Sequence, residues 1–407
     1  MSTKVLVISY KLGEGAGVGG RRWWNYGKMM KKNGNDVIFL TCENNVTDLD
    51  HNCEILLLKK KYPNILATKP ATFFEKIYYR LNVCYLKWRV EGTIYDRAKL
   101  IRNEFMERVS EVILERGITH IIVSGAPFSF LYYTTLIKNR FINIQLALDF
   151  RDAWTWGNAY GFSALTSKRL SYEANCENYC LKNADYFFAA SHDLIRVLEP
   201  KLFNYNKKPS LLINPVTFEE NEFSDISKKN DTLTFVHVGT VGKNTEKYWK
   251  VFFSILNKLK EKFSLKVIML GNSNYALHQF IEENSFSFIQ FLPYLTTDRL
   301  TQIISMADFL FLFKQDSLPN SFPTKFFDYL PARKPIIAFC TKGLVKSEIE
   351  NNRIGFVFDE KLSLCEFENI ILKYKAGDLN FNYVYDFYKF SVEANLSVID
   401  KFLRKES

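Results

Sequence analysis

The residues best suited to chemistry in this chain sit in turns that follow short apolar runs. The fullest set lies between Leu318 and Phe339, LPNSFPTKFFDYLPARKPIIAF. Pro319, Asn320 and Ser321 form a polar turn after the apolar run Phe309 to Phe313. Pro323 suits the first position of a helix, where no N–H donor is needed. Lys325, Phe326, Phe327, Asp328, Tyr329 and Leu330 continue that helix, and Pro331 ends or kinks it. Pro335 then opens a buried strand, Ile336 to Phe339. A helix N-terminus beyond the carboxyl end of a parallel strand offers unbonded amides to an anion. Asp328, roughly one and a half turns in, can accept hydrogen bonds from sugar hydroxyls. Loop amides for a diphosphate and a carboxylate for a ribose describe a nucleoside-diphosphate site. An ordinary helix–strand unit of an α/β domain is the plainer reading of the same residues.

Other candidates sit at comparable points. Lys4 to Ser9 reads as a first buried strand, followed by Gly13, Gly15, Gly17, Gly19 and Gly20 and a helix from Trp23 to Asn33. The glycines lack G-x-G-x-x-G spacing, which argues against a dinucleotide site. The stretch from Gly17 to Gly20 either lets a diphosphate or an acceptor approach the backbone or simply makes a turn. Arg21 and Arg22 add charge there. The strand Ile144 to Phe150 ends in Asp149, Arg151 and Asp152, and Trp154, Trp156 and Tyr160 beyond it offer faces for a sugar ring. The alternative is a capping Asp149 and a local Arg151–Asp152 pair. His192 follows another strand and is an acid/base candidate or a cap neighbour. Leu233 to Val238 leads into Gly239-Thr240-Val241-Gly242-Lys243, a second phosphate-type turn.

These elements must be carried by more than one core. The chain has 407 residues, 47% hydrophobic and 24% charged, so two globular domains are expected. Seven dispersed cysteines without CxxC pairs point to reduced thiols and a cytoplasmic location. No His/Cys cluster calls for a metal, and no cofactor is expected. Net charge is +10. Residues 1–182 hold 26 Lys+Arg and 17 Asp+Glu, a balance of +9, which suits an anionic partner there or serves as a solubilising surface charge. Residues 69–116 read as helical. At the start they interleave Phe73, Phe74, Tyr78, Tyr79, Tyr85 and Trp88 with Lys69, Lys76, Arg80, Lys87 and Arg89. Such a helix can lie on an anionic membrane surface, or bury its aromatics and solvate its charges. No nucleic-acid module surrounds it, so no nucleic acid is expected.

The Leu318–Phe339 stretch resembles the nucleotide-sugar signature of GT-B glycosyltransferases, especially the retaining family-4-type group of capsule and cell-wall enzymes. That signature has two acidic residues eight positions apart and a later Gly-x-Pro. Asp328 falls on the second acid and Pro335 on the proline, while Asn320 replaces the first acid and Arg333 the glycine. An amide at Asn320 can bond sugar hydroxyls but supplies no charge. Relatives hold the diphosphate with an Arg after the first glycine of the 239 turn and a Lys several residues on. Here Thr240 replaces the Arg, and Lys243 and Lys247 bracket the Lys position. A lysine there stabilises the departing diphosphate. The resemblance places the base against the Pro293-Tyr294 backbone, and the Ser321, Phe322, Thr324 and Lys325 segment at the donor with Gly19 and Gly20. It puts Arg22, Asp149, Arg151, Asp152 and Trp154 near the acceptor.

What the resemblance implies is an α/β chain of two Rossmann-like domains facing a cleft. The boundaries expected are 1–215 for the acceptor side and 216–380 for the donor side, with a helix in 381–407 returning to the first domain. The expected activity is metal-independent, retaining sugar transfer from a UDP- or GDP-linked donor to a glycan or lipid-linked acceptor in bacterial surface-polysaccharide synthesis. Asp152, Asn320 and Lys243 are the catalytic candidates. The protein is expected in the cytoplasm, with peripheral contact at the inner membrane face. A non-hydrolysing sugar-nucleotide epimerase and a non-catalytic anionic-surface binder are the alternatives.

Overall fold

The computed structural model describes residues 3–13, 18–42, 52–59, 70–157, 159–223, 231–242, 244–271, 275–293 and 295–404. Gly15, Gly17, Lys69, Lys243 and Tyr294, singled out above, lie outside them, as does the side chain of Tyr160. Two compact units divide the chain: Met1–Ile213 with Val392–Ser407, and Asn214–Ser391.

Unit 1 begins β1 (Lys4–Ile8), α1 (Val18–Lys32), β2 (Asp36–Cys42), β3 (Glu54–Leu58), α2 (Phe73–Arg89) and α3 (Arg102–Arg116). It continues β4 (His120–Gly125), α4 (Phe128–Lys138), β5 (Gln145–Phe150), α5 (Ser167–Asn183), β6 (Tyr186–Ala189), α6 (His192–Phe203) and β7 (Pro209–Leu211). The strands form one parallel sheet in the order β3-β2-β1-β4-β5-β6-β7. The central strands are buried residue after residue because helices cover both faces of such a sheet. The two-residue strand period sends Leu6 and Ile8 into one core layer and Val5 and Val7 into the other. The long helical stretch anticipated over 69–116 is two helices. Gly92 separates them at φ +67°, a left-handed backbone that glycine adopts without strain. His192 opens α6 directly after Ser191, whose hydroxyl accepts from the Leu194 amide as the helix cap.

Unit 2 repeats the plan with β8 (Leu233–Val238), α7 (Glu246–Leu259), β9 (Leu265–Leu270), α8 (Tyr275–Glu283), β10 (Ile289–Leu292) and α9 (Thr297–Ser305). Then come β11 (Phe309–Phe313), α10 (Thr324–Tyr329), β12 (Ile336–Phe339), α11 (Leu344–Asn352), β13 (Gly355–Phe358) and α12 (Leu364–Ala376). Its six parallel strands run β10-β9-β8-β11-β12-β13. Phenylalanine dominates the core: Phe252 packs against Phe235, Phe311 and Phe339 with ring centroids 5.1–6.1 Å apart. In both sheets the chain starts centrally, winds outward, returns and winds the other way. The reversal falls between β1 and β4 and between β8 and β11. Ligands of such sheets bind outside the carboxyl ends of the strands at that reversal.

The last helix, α13 (Val392–Arg404), belongs to unit 1. It begins well inside the expected 381–407 span because the preceding residues are committed to unit 2. The Tyr385 carbonyl accepts from Arg333, and Phe390 packs on Phe322 and Phe327 at 5.3 and 5.4 Å. Leu396, Ile399 and Phe402 of α13 complete the layer around Trp23, Phe39 and Phe188. The Phe402 ring meets His120, Tyr186 and Phe188 at 5.2, 5.6 and 6.2 Å. Phe402→Ala should therefore destabilise unit 1 by about 3–5 kcal/mol, the usual cost of emptying a buried phenylalanine site. Urea denaturation followed by tryptophan fluorescence measures it, and a loss under about 1 kcal/mol would make α13 an appendage.

Candidate functional site

The reversal in unit 2 brings together the turn after β8 and the segment between β11 and α10. Gly239 makes that turn at φ +89°, and its amide donates to the Leu270 carbonyl at 2.8 Å. The β11–α10 segment is tied to the start of α11, where the Leu344 amide donates to the Pro319 carbonyl at 2.9 Å. Gly343 permits this approach, since a Cβ there would collide with that same carbonyl. Asn320 and Ser321 lie in this tied segment. Phe322 stacks on Phe326 at 5.1 Å and serves packing.

Helix α10 is held over the two central strands by Tyr329. Its hydroxyl accepts from the Val238 amide at 2.9 Å and donates to the Phe311 carbonyl at 3.0 Å. Burial pushes that phenol far above its ordinary pKa, so it stays protonated and able to donate. The same carbonyl accepts from His237 Nδ1 at 2.9 Å. A carbonyl can only accept, so Nδ1 carries the proton and Nε2 keeps its lone pair. Burial, and then the nearby Lys325 charge, hold the imidazole well below its ordinary pKa, so it is neutral.

Lys325 Nζ lies 3.2 Å from His237 Nε2 and 3.0 Å from the Thr240 carbonyl oxygen. Both partners are neutral, so the ammonium is bonded but not neutralised by them. Burial lowers its pKa to about 8, against the opposing pull of the Asp328 carboxylate. Asp328 lies three residues further on, the spacing that puts two side chains on one helix face, and is buried. The result is a cation and a carboxylate on one short helix, pinned over strands β8 and β11 by Tyr329. Such a pair can hold a phosphate and a hydroxyl of one ligand.

Other expected donor residues are placed differently. Lys247 bridges Asp316 at 3.1 Å and Glu360 at 3.2 Å. Burial alone would raise the Asp316 carboxyl. The Tyr248 hydroxyl, the Thr341 amide and hydroxyl and Lys247 outweigh it and hold Asp316 below the usual carboxylate range. Lys247 is thus committed to two carboxylates. Pro293 follows β10, the edge strand, with β9 between it and β8. Arg333, at the expected glycine position, adopts φ +54° and is anchored by Glu220 and the Tyr385 carbonyl.

In unit 1 the acceptor-side expectations divide. Asp149 is fully buried and accepts from Arg22 Nη2 at 2.8 Å, Arg22 Nε at 3.2 Å, Trp23 Nε1 at 2.6 Å and Ser124 Oγ at 2.8 Å. Arg22 also donates to the Leu212 and Ile213 carbonyls at 2.6 and 2.5 Å. With neither side chain exposed, this pair fastens α1 and the end of β7 to the sheet and cannot touch an acceptor. Trp154 is also a core residue. It stacks on Phe128 at 5.1 Å and donates to Glu173 Oε2 at 2.9 Å, which leaves no face for a sugar. Gly20 is buried within α1. Arg151 and Asp152 do lie at the carboxyl end of β5. Arg151 donates to the Gly125 and Ala126 carbonyls at 2.8 and 3.0 Å, and its guanidinium fills the space beside Gly19. Asp152 is exposed. Among the described residues, no three or more His, Cys, Asp or Glu side chains converge as metal ligands.

Sequence reasoning passed over His237 and Tyr329. One histidine inside the apolar strand LTFVHV, directly before a glycine turn, is the signal that marks the first. Nothing distinguishes Tyr329 from a core aromatic.

Solved structures share this architecture over nearly their whole length. The sucrose-phosphate synthase of Thermosynechococcus elongatus is 12% identical, with 99% of this chain and 98% of that chain covered at a TM-score of 0.65. Anabaena HepE, solved in complex with UDP and glucose, is 14% identical over 99% of this chain and 100% of its own, at 0.61. The fold is GT-B. The UDP-GlcNAc 2-epimerase of Methanocaldococcus jannaschii, 11% identical over 99% and 100% of the two chains, matches the same GT-B frame at 0.53. No family model and no curated protein sequence matches the chain.

The Arg22–Asp149 assignment yields a measurable cost. Asp149→Asn leaves a buried guanidinium uncompensated and should destabilise unit 1 by about 3–5 kcal/mol. Denaturant titration reads this directly. A loss below about 1 kcal/mol would return Asp149 to the list of ligand-binding candidates.

Proposed function

We propose that the chain is a glycosyltransferase that moves a sugar from a nucleoside-diphosphate sugar to a hydroxyl of a glycan or lipid-linked acceptor. The observation that carries this reading is the Lys325 ammonium, held by His237 and Thr240 beside Asp328 at the reversal of the second sheet. In this reading Lys325 meets the diphosphate, with the Gly239–Thr240 and Ser321–Thr324 backbones around it. Asp328 accepts from the ribose hydroxyls. Asn320 orients the transferred sugar through its amide. The bond between the anomeric carbon and the diphosphate oxygen breaks while the acceptor oxygen attacks. Asp152 orients that hydroxyl, and its proton passes to the departing diphosphate. Charge grows on the diphosphate as the bond breaks, and a positioned cation stabilises that growth most. Retention of configuration and independence of a divalent ion complete the proposal, as does a role in bacterial surface-polysaccharide synthesis at the cytoplasmic face of the membrane.

The likeness to the epimerase structure favours a second reading, a non-hydrolysing sugar-nucleotide epimerase. Incubation with the donor alone separates the two. Epimerised donor without acceptor supports the second reading, and an inert donor supports transfer.

Calorimetric titration with UDP and GDP tests the proposal. One of them should bind, and Asp328→Asn or Lys325→Met should each weaken it by about tenfold or more. Lys247→Ala should leave affinity within about twofold, since its ion pairs are exposed. The Lys325 pKa is lowered to about 8, so the ammonium is mostly charged at pH 7 and mostly neutral near pH 9. Affinity should therefore fall across that interval in the wild type and stay level in Lys325→Arg, whose charge persists. Equal binding by wild type and Lys325→Met would remove Lys325 from the site.

A further inference from the structure

Helix α2 leaves a broad apolar face in solvent. Phe74 is 81% exposed, Trp88 79% and Leu81 63%, and Phe73, Tyr78 and Tyr85 are also exposed. At 100° per residue these six fall within an arc of roughly 140°. Leu86 on the far side is the helix's one buried residue, so α2 rests on unit 1 by the opposite face. Surface apolar residues scattered singly need no explanation, but a contiguous aromatic face does.

The margins of the arc are basic. Lys76, Arg80 and Lys87 flank it beyond Phe73, and Arg89 flanks it beyond Tyr78. The helix's single acid, Glu75, is consumed in the capping box with Thr72. A cleft of about 340 Å³ follows the C-terminal end of α2, lined by Arg89 and Arg102 together with Glu104 and with Lys99, which is ion-paired to Glu173. Residues 1–182 carry the +9 balance already noted, so the surrounding unit has the same sign. An amphipathic helix with Trp, Tyr and Phe on one face and Lys and Arg along its edges matches the interfacial zone of a bilayer. Rings enter the headgroup boundary there while the cations meet lipid phosphates. Among the described residues no helix is long and apolar enough to cross a membrane.

We propose that α2 docks unit 1 onto an anionic phospholipid surface, lying in the headgroup plane with its aromatic arc inserted and its basic margins on lipid phosphates. Docking through α2 is independent of sugar transfer.

Co-sedimentation of the full chain with large unilamellar vesicles tests this without any enzymatic readout. Two vesicle types serve, phosphatidylcholine alone and phosphatidylcholine with 40% phosphatidylglycerol as a chosen composition, roughly matching a strongly anionic leaflet. Wild type should bind the anionic vesicles at least about tenfold more tightly than the neutral ones. The triple variant Lys76→Gln, Arg80→Gln, Lys87→Gln should lose that preference. The double variant Phe74→Ser, Trp88→Ser should lose binding to both while keeping the wild-type melting temperature, because both side chains are exposed. No binding of wild type to anionic vesicles would overturn the proposal, as would undiminished binding by the double variant. A dimer that the double variant splits, with no vesicle binding, would assign the face to a second copy instead.

Discussion

One backbone carbonyl, that of Phe311 in the centre of β11, organises the second unit's site. It accepts from His237 on β8 and from Tyr329 on α10. The first bond fixes the imidazole tautomer so that its lone pair faces Lys325. The second pins the short helix that carries Lys325 and Asp328. Buried polar groups without partners cost on the order of 1–3 kcal/mol each, so this arrangement is specified and not incidental. The fold's contribution is the sheet reversal, which puts β8 and β11 side by side so that a single carbonyl serves both elements.

The two units treat buried charge in opposite ways. In unit 1 Arg22 and Asp149 satisfy each other completely and spend their remaining bonds on Trp23, Ser124 and two carbonyls. No valence is left for a ligand, and the pair acts as a fastener. In unit 2 Lys325 is bonded by a neutral imidazole and a carbonyl, which orient its charge without cancelling it, and Asp328 is the carboxylate that acts on it. Lys247 shows the third case, an exposed cation already neutralised by two carboxylates. What separates Lys325 from the two structural cations is thus the charge of its bonded partners.

Much of the fold was legible because parallel strands buried on both faces read as unbroken apolar runs, as in KVLVI, DVIFLTC and FLFLF. The turn, helix and strand around Asp328 were legible from Pro323, Pro331 and Pro335, whose fixed backbone marks boundaries. Pairings across long separations were not. Asp149 resembles a site residue until Arg22, 127 residues away, is seen to occupy it. His237 and Lys325 are 88 residues apart, and nothing local to either announces the other. Trp154 looks like a sugar platform until Phe128 covers its face. Charge type and strand position were readable, whereas partner identity needed the sheet order.

Most depends on the Lys325 ammonium, bonded by neutral partners and proposed to meet a diphosphate. NMR titration of protein labelled at the lysine side chains, with Lys325→Arg to assign the resonance, tests it most directly. Free protein should show a Lys325 pKa of about 8, and saturation with the nucleoside diphosphate that binds should move it upward, because an adjacent anion favours the charged form. A Lys325 resonance that titrates like an exposed lysine and ignores the nucleotide would contradict the account.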